Sequence, residues 1–402
     1  MISKRLVVIL LSFSLVGCAA QRSLSAGSAA LPALPNETIQ PDYGASALPG
    51  ASLPCGFPPQ ASHHHPNRHA NPAACPVALN AHYPGIRNKH FPVADIPGLH
   101  PGDIVGLYAF PSSAAGATVA IVDAYNDPTA EKDMNVYRSR FGLPPCLSSS
   151  GCFRKVNQDG IARKYGHASK TWSQETALDL EMVSAVCPRC PILLVEARSA
   201  SIDDLGASVD EAVTLGARAV SNSYYTTEWP DETSEDVHYN HPGIAITASS
   251  GDVGSGAQAS PYYPAASPYV TAVGATTLIG NPAGKTETAW AYAGNGCSLY
   301  EAQPSFQVGV PCATRSAVDM AVVGDPQTGV TMFATQAGGW VVAGGTSIGA
   351  PVVAAAYALS GKLASPSFSY AHRAGFEAIP PAPPGGYDVA TGLGFPYGVS
   401  GL

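Results

Sequence analysis

Charge is scarce in this chain. Only 12% of its 402 residues are Asp, Glu, Lys or Arg, about half the share usual in globular proteins. Lys and Arg form no cluster and the formal net charge is -8, which argues against nucleic acid as a partner. A surface poor in carboxylates gains little positive charge on acidification, so self-repulsion in acid stays mild. Such a composition suits an acidic workplace. Long apolar runs are missing too. The run at residues 6 to 16 is too short to span a bilayer as a stable anchor, and no second spanning segment or internal repeat follows.

That run does have another use. Lys4 and Arg5 precede it and Gly17-Cys18 close it, the pattern of an export signal over residues 1–17. Leu15-Val16-Gly17-Cys18 resembles the lipobox of bacterial lipoproteins. The resemblance implies cleavage before Cys18, a lipid on its sulfur, and a mature chain anchored to the bacterial cell envelope. An ordinary secretory signal is the other reading, and it also exports the chain. Eight further cysteines stand at Cys55, Cys75, Cys146, Cys152, Cys187, Cys190, Cys297 and Cys312. An even number in an exported chain makes disulfides the default. Sequence leaves the pairing open, and near neighbours (55 with 75, 146 with 152, 187 with 190, 297 with 312) make the simplest set. Cys187-Pro-Arg-Cys190 has no second Cys-x-x-Cys to complete a zinc site. It follows a helix, whose C-terminal end disfavours a thiolate, so a structural bridge is expected there.

Residues 18–98 are rich in Ala, Pro, Ser, Gly and His and lack a sustained period. They read as a tether, pinned by Cys55 and Cys75. Within it, His63-His64-His65-Pro-Asn-Arg-His69 could bind a transition metal, although a solvated polar patch is the favoured reading because no carboxylate or cysteine ligand accompanies it. Residues 99–402 form the folded domain. Apolar strands are expected at 117–123, 191–196, 218–224, 243–249 and 269–273. Helices are expected near 128–141, 173–186 and 202–215, with a short one at 233–239. Unalternating apolar strands separated by helices indicate an α/β, doubly wound, mostly parallel sheet with helices on both faces. Ligands gather at the strand C-terminal ends of such sheets.

The densest chemical signal is Gly-Gly-Thr-Ser-Ile-Gly-Ala-Pro at 344 to 351. It places Ser347 between a short strand, 339–343, and a small-residue helix, 350–359. Free backbone N–H groups at a helix start favour a developing negative charge, so a nucleophile can be built there. Alone, Ser347 could simply cap its helix. Glu175 and Asp179 lie four apart in a second helix and share a face, while Glu181 points elsewhere. In a desolvated cleft one of that pair would hold its proton to higher pH and bond the other. Asp252 ends a strand in Ser-Ser-Gly-Asp, where a turn aspartate is the plain reading.

Taken in order, Glu-x-x-x-Asp, Ser-Gly-Asp and Gly-Thr-Ser-x-x-x-Pro resemble the sedolisin (serine-carboxyl) peptidases. Val-Ala-Ile-Val-Asp-Ala-Tyr at 119 to 125 and Tyr-Pro-Ala-Ala-Ser-Pro-Tyr-Val-Thr-Ala-Val-Gly at 263 to 274 extend the likeness over most of 99–402. The resemblance implies a subtilisin-like fold and an acid-active, monomeric endopeptidase acting on polypeptides. Ser347 would attack, Glu175 would accept its proton, Asp179 would support Glu175, and a protonated Asp252 would serve the oxyanion hole. The subtilisin arrangement is the nearest competitor and needs Asp, His and Ser. Asp123 and Asn222 could supply two of its parts, but His167 lacks the His-Gly-Thr pattern, and the helix after it carries the carboxylates instead. On this reading Asp123 is structural. A non-catalytic exported binding lipoprotein on a peptidase scaffold is the reading from another class. The family also binds calcium through two aspartates near the C-terminus. Asp388 matches the second, whereas Ala378 stands where the first is expected and Glu377 is the nearest substitute. Family members carry a large folded propeptide. Fewer than a hundred low-complexity residues precede the domain here, so a separately folded inhibitor is not expected.

Overall fold

A computed structural model describes residues 73–75, 77–80, 96–254, 261–280, 286–383 and 385–402. The export signal, Cys18, Cys55 and the His63–His69 cluster lie outside these residues. The described chain runs β1 (Ala78–Leu79), α1 (Pro101–Tyr108), β2 (Val119–Ala124), α2 (Ala130–Arg140), β3 (Phe153–Asn157), α3 (Lys170–Val186), β4 (Ile192–Ala197), α4 (Ile202–Thr214), β5 (Ala219–Asn222) and β6 (Thr226–Thr227). It continues with β7 (Ala245–Ser249), β8 (Tyr262–Tyr263), β9 (Thr271–Ile279), β10 (Thr286–Ala289), β11 (Cys297–Ala302), β12 (Thr314–Ser316), β13 (Met320–Val323), β14 (Val330–Ala334), β15 (Gly339–Gly344) and α5 (Gly349–Ser360).

An eight-stranded sheet in the order β10-β9-β7-β5-β2-β4-β3, with β13 also beside β9, is parallel except for β10. Its strands show why both faces must be covered. In β2, Val119 and Ile121 join one apolar core with α3 and α5, while Ala120 and Val122 join a second core with Leu205 and Val209 of α4. β4 divides in the same way, with Ile192 and Leu194 against Leu193 and Val195. Successive side chains point to opposite faces, so a strand apolar at every position needs a helix layer on each side. This is the expected subtilisin-like α/β fold.

The expected strands are found as β2, β4, β5, β7 and β9, and the expected helices as α2, α3 and α4. Helix α3 starts earlier than its apolar pattern suggests because the Ser169 hydroxyl accepts the Trp172 N–H at 3.4 Å, a side-chain cap one turn upstream. Residues 232–238 form a 3-10 helix. Three disulfides join Cys146 to Cys152, Cys187 to Cys190 and Cys297 to Cys312, as the near-neighbour pattern suggested. Cys75 is disulfide-bonded as well.

Residues 73–75 and 77–80, inside the stretch read as a tether, are packed into the domain. Ala74 bridges Tyr225, and β1 pairs antiparallel with β15 through Ala78 to Gly344 and Leu79 to Ala343. No helix among the described residues is long and apolar enough to cross a membrane.

Candidate active site

Three strand ends and two helix starts converge on Ser347. Strand β15 delivers the chain to Gly345, whose φ of +114° is open to glycine alone. A 3-10 turn, Thr346–Ile348, then leads into α5. The close approach of α5 to β9 requires Gly349, since a Cβ there would lie 2.5 Å from Val273 Cγ1. Ser347 is fully buried and caps nothing: neither the turn nor α5 has a side-chain cap, and Ser347 Oγ makes no full hydrogen bond to a described residue. Its hydroxyl does interact with the Glu175 carboxylate, lowering the proton affinity there. Nucleophile contacts of this looser kind are common before a substrate is engaged.

Helix α3 is buried from Trp172 to Val186, so its acids meet protein on all sides. Glu175 Oε2 accepts the Val77 backbone N–H at 2.8 Å, and Glu175 Oε1 has no full hydrogen bond to a described residue. Asp179 Oδ1 accepts the Ser223 hydroxyl at 2.9 Å, and Ser223 also lies 3.5 Å from the Ser347 carbonyl oxygen. Glu181 turns away and accepts the Phe333 N–H at 2.9 Å. Burial, then the Asp123 charge, pushes Glu175 well above the ordinary carboxyl range. The same two causes and Glu175 itself raise Asp179.

Asp123 was assigned a structural part from sequence, yet it belongs to this cluster. It is fully buried at the end of β2, neither oxygen makes a full hydrogen bond to a described residue, and burial pushes it up to about 8 against the opposing effect of the Thr176 hydroxyl. Its place at the C-terminal end of a central strand was the available signal. Asp252 lies just beyond β7. Its Oδ1 accepts both the N–H and the hydroxyl of Thr346, each at 2.8 Å, while Oδ2 has no partner among the described residues. Burial pushes Asp252 up to about 7, against the opposing effect of Thr346. Four buried carboxyl groups thus interact around Glu175, beside Ser347. Holding all of them ionised would be very costly in a dry interior, so protons are shared among them.

A family model for the subtilase family matches residues 155–373, more than half of the chain. The chain belongs to the subtilase family. Among solved structures, this subtilase is similar to Pseudomonas sedolisin, a serine-carboxyl proteinase complexed with two molecules of pseudo-iodotyrostatin. That match has 22% identity and a TM-score of 0.62, covering 75% of this chain and 96% of that one. Sphericase matches at 18% identity and a TM-score of 0.49, covering 73% of this chain and 96% of that one. Fervidolysin from Fervidobacterium pennivorans, a keratinolytic enzyme related to subtilisin, matches at 17% and 0.46, covering 72% and 42%. At these identities the likeness is one of fold. No curated protein sequence matches the chain.

The subtilase does not bring the histidine of an Asp/His/Ser arrangement into the buried cluster. His167 is exposed in the loop before α3, its ring 4.3 Å from that of Tyr125. The Asn222 amide is held within the sheet, donating to the Thr247 carbonyl at 3.0 Å and accepting the Tyr224 hydroxyl at 2.9 Å. The side chains present near the C-terminus do not fit calcium. Asp388 Oδ1 accepts the N–H groups of Ala390 and Thr391 and the Thr391 hydroxyl, which makes it a turn residue. Ala378 offers no side-chain oxygen, and Glu377 is exposed on a two-residue strand paired with 395–396. Among the described residues no three His, Cys, Asp or Glu side chains are grouped to hold a metal ion.

Proposed function

We propose that this subtilase is an acid-active endopeptidase of the serine-carboxyl type, cleaving polypeptides through an acyl-enzyme on Ser347. The observation that carries this reading is the placement of Ser347 against a buried Glu175–Asp179 pair with no histidine of the described residues in the cluster. Ser347 Oγ attacks the carbonyl carbon and passes its proton to Glu175, which then gives it to the leaving nitrogen. Asp179 shares the pair's proton and holds Glu175 in place. The Val77 N–H that Glu175 accepts, together with the nearby Ser347 hydroxyl, favours the negative charge on that residue. Asp252 has Oδ1 committed to Thr346, so a proton on Oδ2 is available to the developing oxyanion. With Asp252 pushed up to about 7, that proton is present throughout the acid range. We also propose that the chain is exported, anchored by a lipid on Cys18, and active as a monomer.

The test is an assay of residues 19–402 on denatured protein from pH 3 to 8, beside Ser347→Ala and Glu175→Gln. Activity confined to the acid side and lost in both variants is expected. A wild type that cleaves nothing would return the chain to the binding-protein reading. Full activity at pH 8 with none at pH 4 would refute the serine-carboxyl assignment.

A further inference from the structure

The residue whose carbonyl Ser347 attacks needs a place for its own side chain. Strands β5 and β7 are parallel neighbours, with Ser221 opposite Thr247 and Asn222 opposite Ala248, and the segments that leave them, 223–225 and 250–252, run on beside Ser347. The Ser223 hydroxyl lies 3.5 Å from the Ser347 carbonyl oxygen, while the Gly251 N–H and the Asp252 carboxyl both bind Thr346. A gap between such segments, at the C-terminal ends of parallel strands, is where a ligand group enters this kind of sheet. Here two aromatic rings fill it. Strand β8 pairs antiparallel with β6, setting Tyr262 opposite Thr227, and the Tyr262 ring packs against the backbone of Gly251 and Gly294. A Cβ at those glycines would come within 2.7 and 2.9 Å of Tyr262 Cδ2. From the other segment Tyr225 meets Tyr262 edge-on, with centroids 4.9 Å apart and planes at 64°, and the Tyr225 hydroxyl meets the Asp252 backbone. Both tyrosines are only 3% exposed, and Ala74 and the half-buried Val253 pack with them.

We propose that Tyr225 and Tyr262 determine specificity, limiting the residue on the acyl side of the cut bond to glycine, alanine or serine. This substrate class rests on the peptidase reading of Ser347. During attack the substrate carbonyl oxygen faces Asp252 Oδ2. The α-carbon bonded to that carbonyl is then held beside Gly251 and Asp252, and its side chain is directed at the surface that Tyr225 and Tyr262 build there. A methyl or hydroxymethyl group fits against two packed rings. A leucine or an aromatic side chain would have to push the Tyr262 ring off Gly251 and Gly294, where a close-packed interior gives little room. Otherwise it would draw the carbonyl away from Asp252 Oδ2, and small misplacements of a reacting group cost rate steeply. Tyr262 fills the gap and Tyr225 holds it there, tied to the same Asp252 that serves the oxyanion.

The full chain would digest denatured protein at pH 4, with every cut mapped by mass spectrometry. Cuts after Gly, Ala and Ser, and none after Leu, Phe, Tyr or Trp, are expected. Beside this, kcat/KM would be measured on peptides that differ only in carrying Ala, Leu or Phe before one cleavable bond, for the wild type, Tyr262→Ala and Tyr262→Phe. The wild type should favour Ala over Phe by about a hundredfold or more, and Tyr262→Ala should raise the Phe-to-Ala ratio by about as much, the scale on which a pocket discriminates by size. Tyr262→Phe keeps the ring and should keep the wild-type ratio. Damage to the fold would lower all three peptides together, so the ratio, rather than any single rate, is the readout. A wild type that cuts after Phe or Leu as readily as after Ala would overturn the specificity and leave the peptidase reading standing, as would an unmoved ratio in an active Tyr262→Ala. The cleavage map decides by itself if Tyr262→Ala does not fold. A wild type that cuts neither protein nor peptide removes the peptidase reading and the specificity with it.

Discussion

Thr346 gives both its backbone N–H and its hydroxyl to one oxygen of Asp252, each at 2.8 Å, and so fixes that carboxyl one residue from the nucleophile. The other oxygen is left to serve a reacting carbonyl. Asp252→Ala should therefore lower kcat by about 10²–10³, the usual loss of an oxyanion donor. Asp252→Asn should behave differently. Its oxygen can accept from Thr346 while its NH2 donates at every pH, so activity should be largely kept and should extend further towards neutral pH than in the wild type. A kcat profile from pH 3 to 8 for the three proteins checks this. Equal losses in both variants would remove Asp252 from the oxyanion role.

Ser223 acts on Asp179 rather than on substrate, which makes it a positioning residue. Losing its 2.9 Å bond removes a donor that lowers the proton affinity of Asp179. Ser223→Ala should reduce kcat about tenfold to a hundredfold, in line with the worth of a hydrogen bond to a charged group. It should also move the acidic limb of the kcat profile to higher pH. Ser223→Thr should recover most of both effects. A uniform fall in activity with an unmoved limb would point to a packing role alone.

Much of this site was legible because its parts are local. A Gly-Gly-Thr-Ser junction and two acids four apart on one helix face are short-range patterns, and the fold adds only their meeting point. Asp123 was harder to place, since a strand-end aspartate looks the same whether it braces a turn or joins a proton-sharing cluster. The packing of residues 73–75 and 77–80 into the domain was not legible at all. Ala73 to Asn80 has no hydrophobic period, and its partners Tyr225 and Gly344 lie more than a hundred residues away. Strand β3, Phe-Arg-Lys-Val-Asn, was missed for a related reason: its two basic residues are exposed or half-buried at the sheet edge, so the apolar run seen in β2 and β4 is broken.

Stability should fall as the medium becomes less acid. Burial pushes Asp252 up to about 7 and Asp123 up to about 8, and Glu301, raised by burial and by Asp236, also to about 8. A carboxyl whose folded value is raised binds its proton more tightly in the native state. Its stabilisation is complete below the unfolded value near ~4 and is lost as pH rises through the folded value. The Ser347→Ala chain, which would not digest itself, should thus have a higher Tm at pH 4 than at pH 8. Asp123→Asn should narrow the difference. A Tm that rises from pH 4 to 8 would mean that these groups are ionised in the native state.

Arg315 and Asp319 form a wholly buried ion pair, with the guanidinium reaching Asp319 Oδ1 at 2.7 Å and Oδ2 at 2.6 Å. Burial alone would lower the proton affinity of Arg315, but the Asp319 carboxylate more than reverses this and leaves it above its usual value. Asp319 further accepts the Ala272 N–H and the Tyr370 hydroxyl, tying β9 to the C-terminal segments. Asp319→Asn would leave a buried cation without its counter-charge, at a cost of about 3–5 kcal/mol. Replacing both partners with apolar residues of similar volume should cost less than the single change, because neither charge is then stranded. Urea unfolding of the Ser347→Ala chain carrying each change measures both values. A double variant less stable than Asp319→Asn would show that the pair's bonds to Ala272 and Tyr370, rather than its charge balance, hold this corner of the fold.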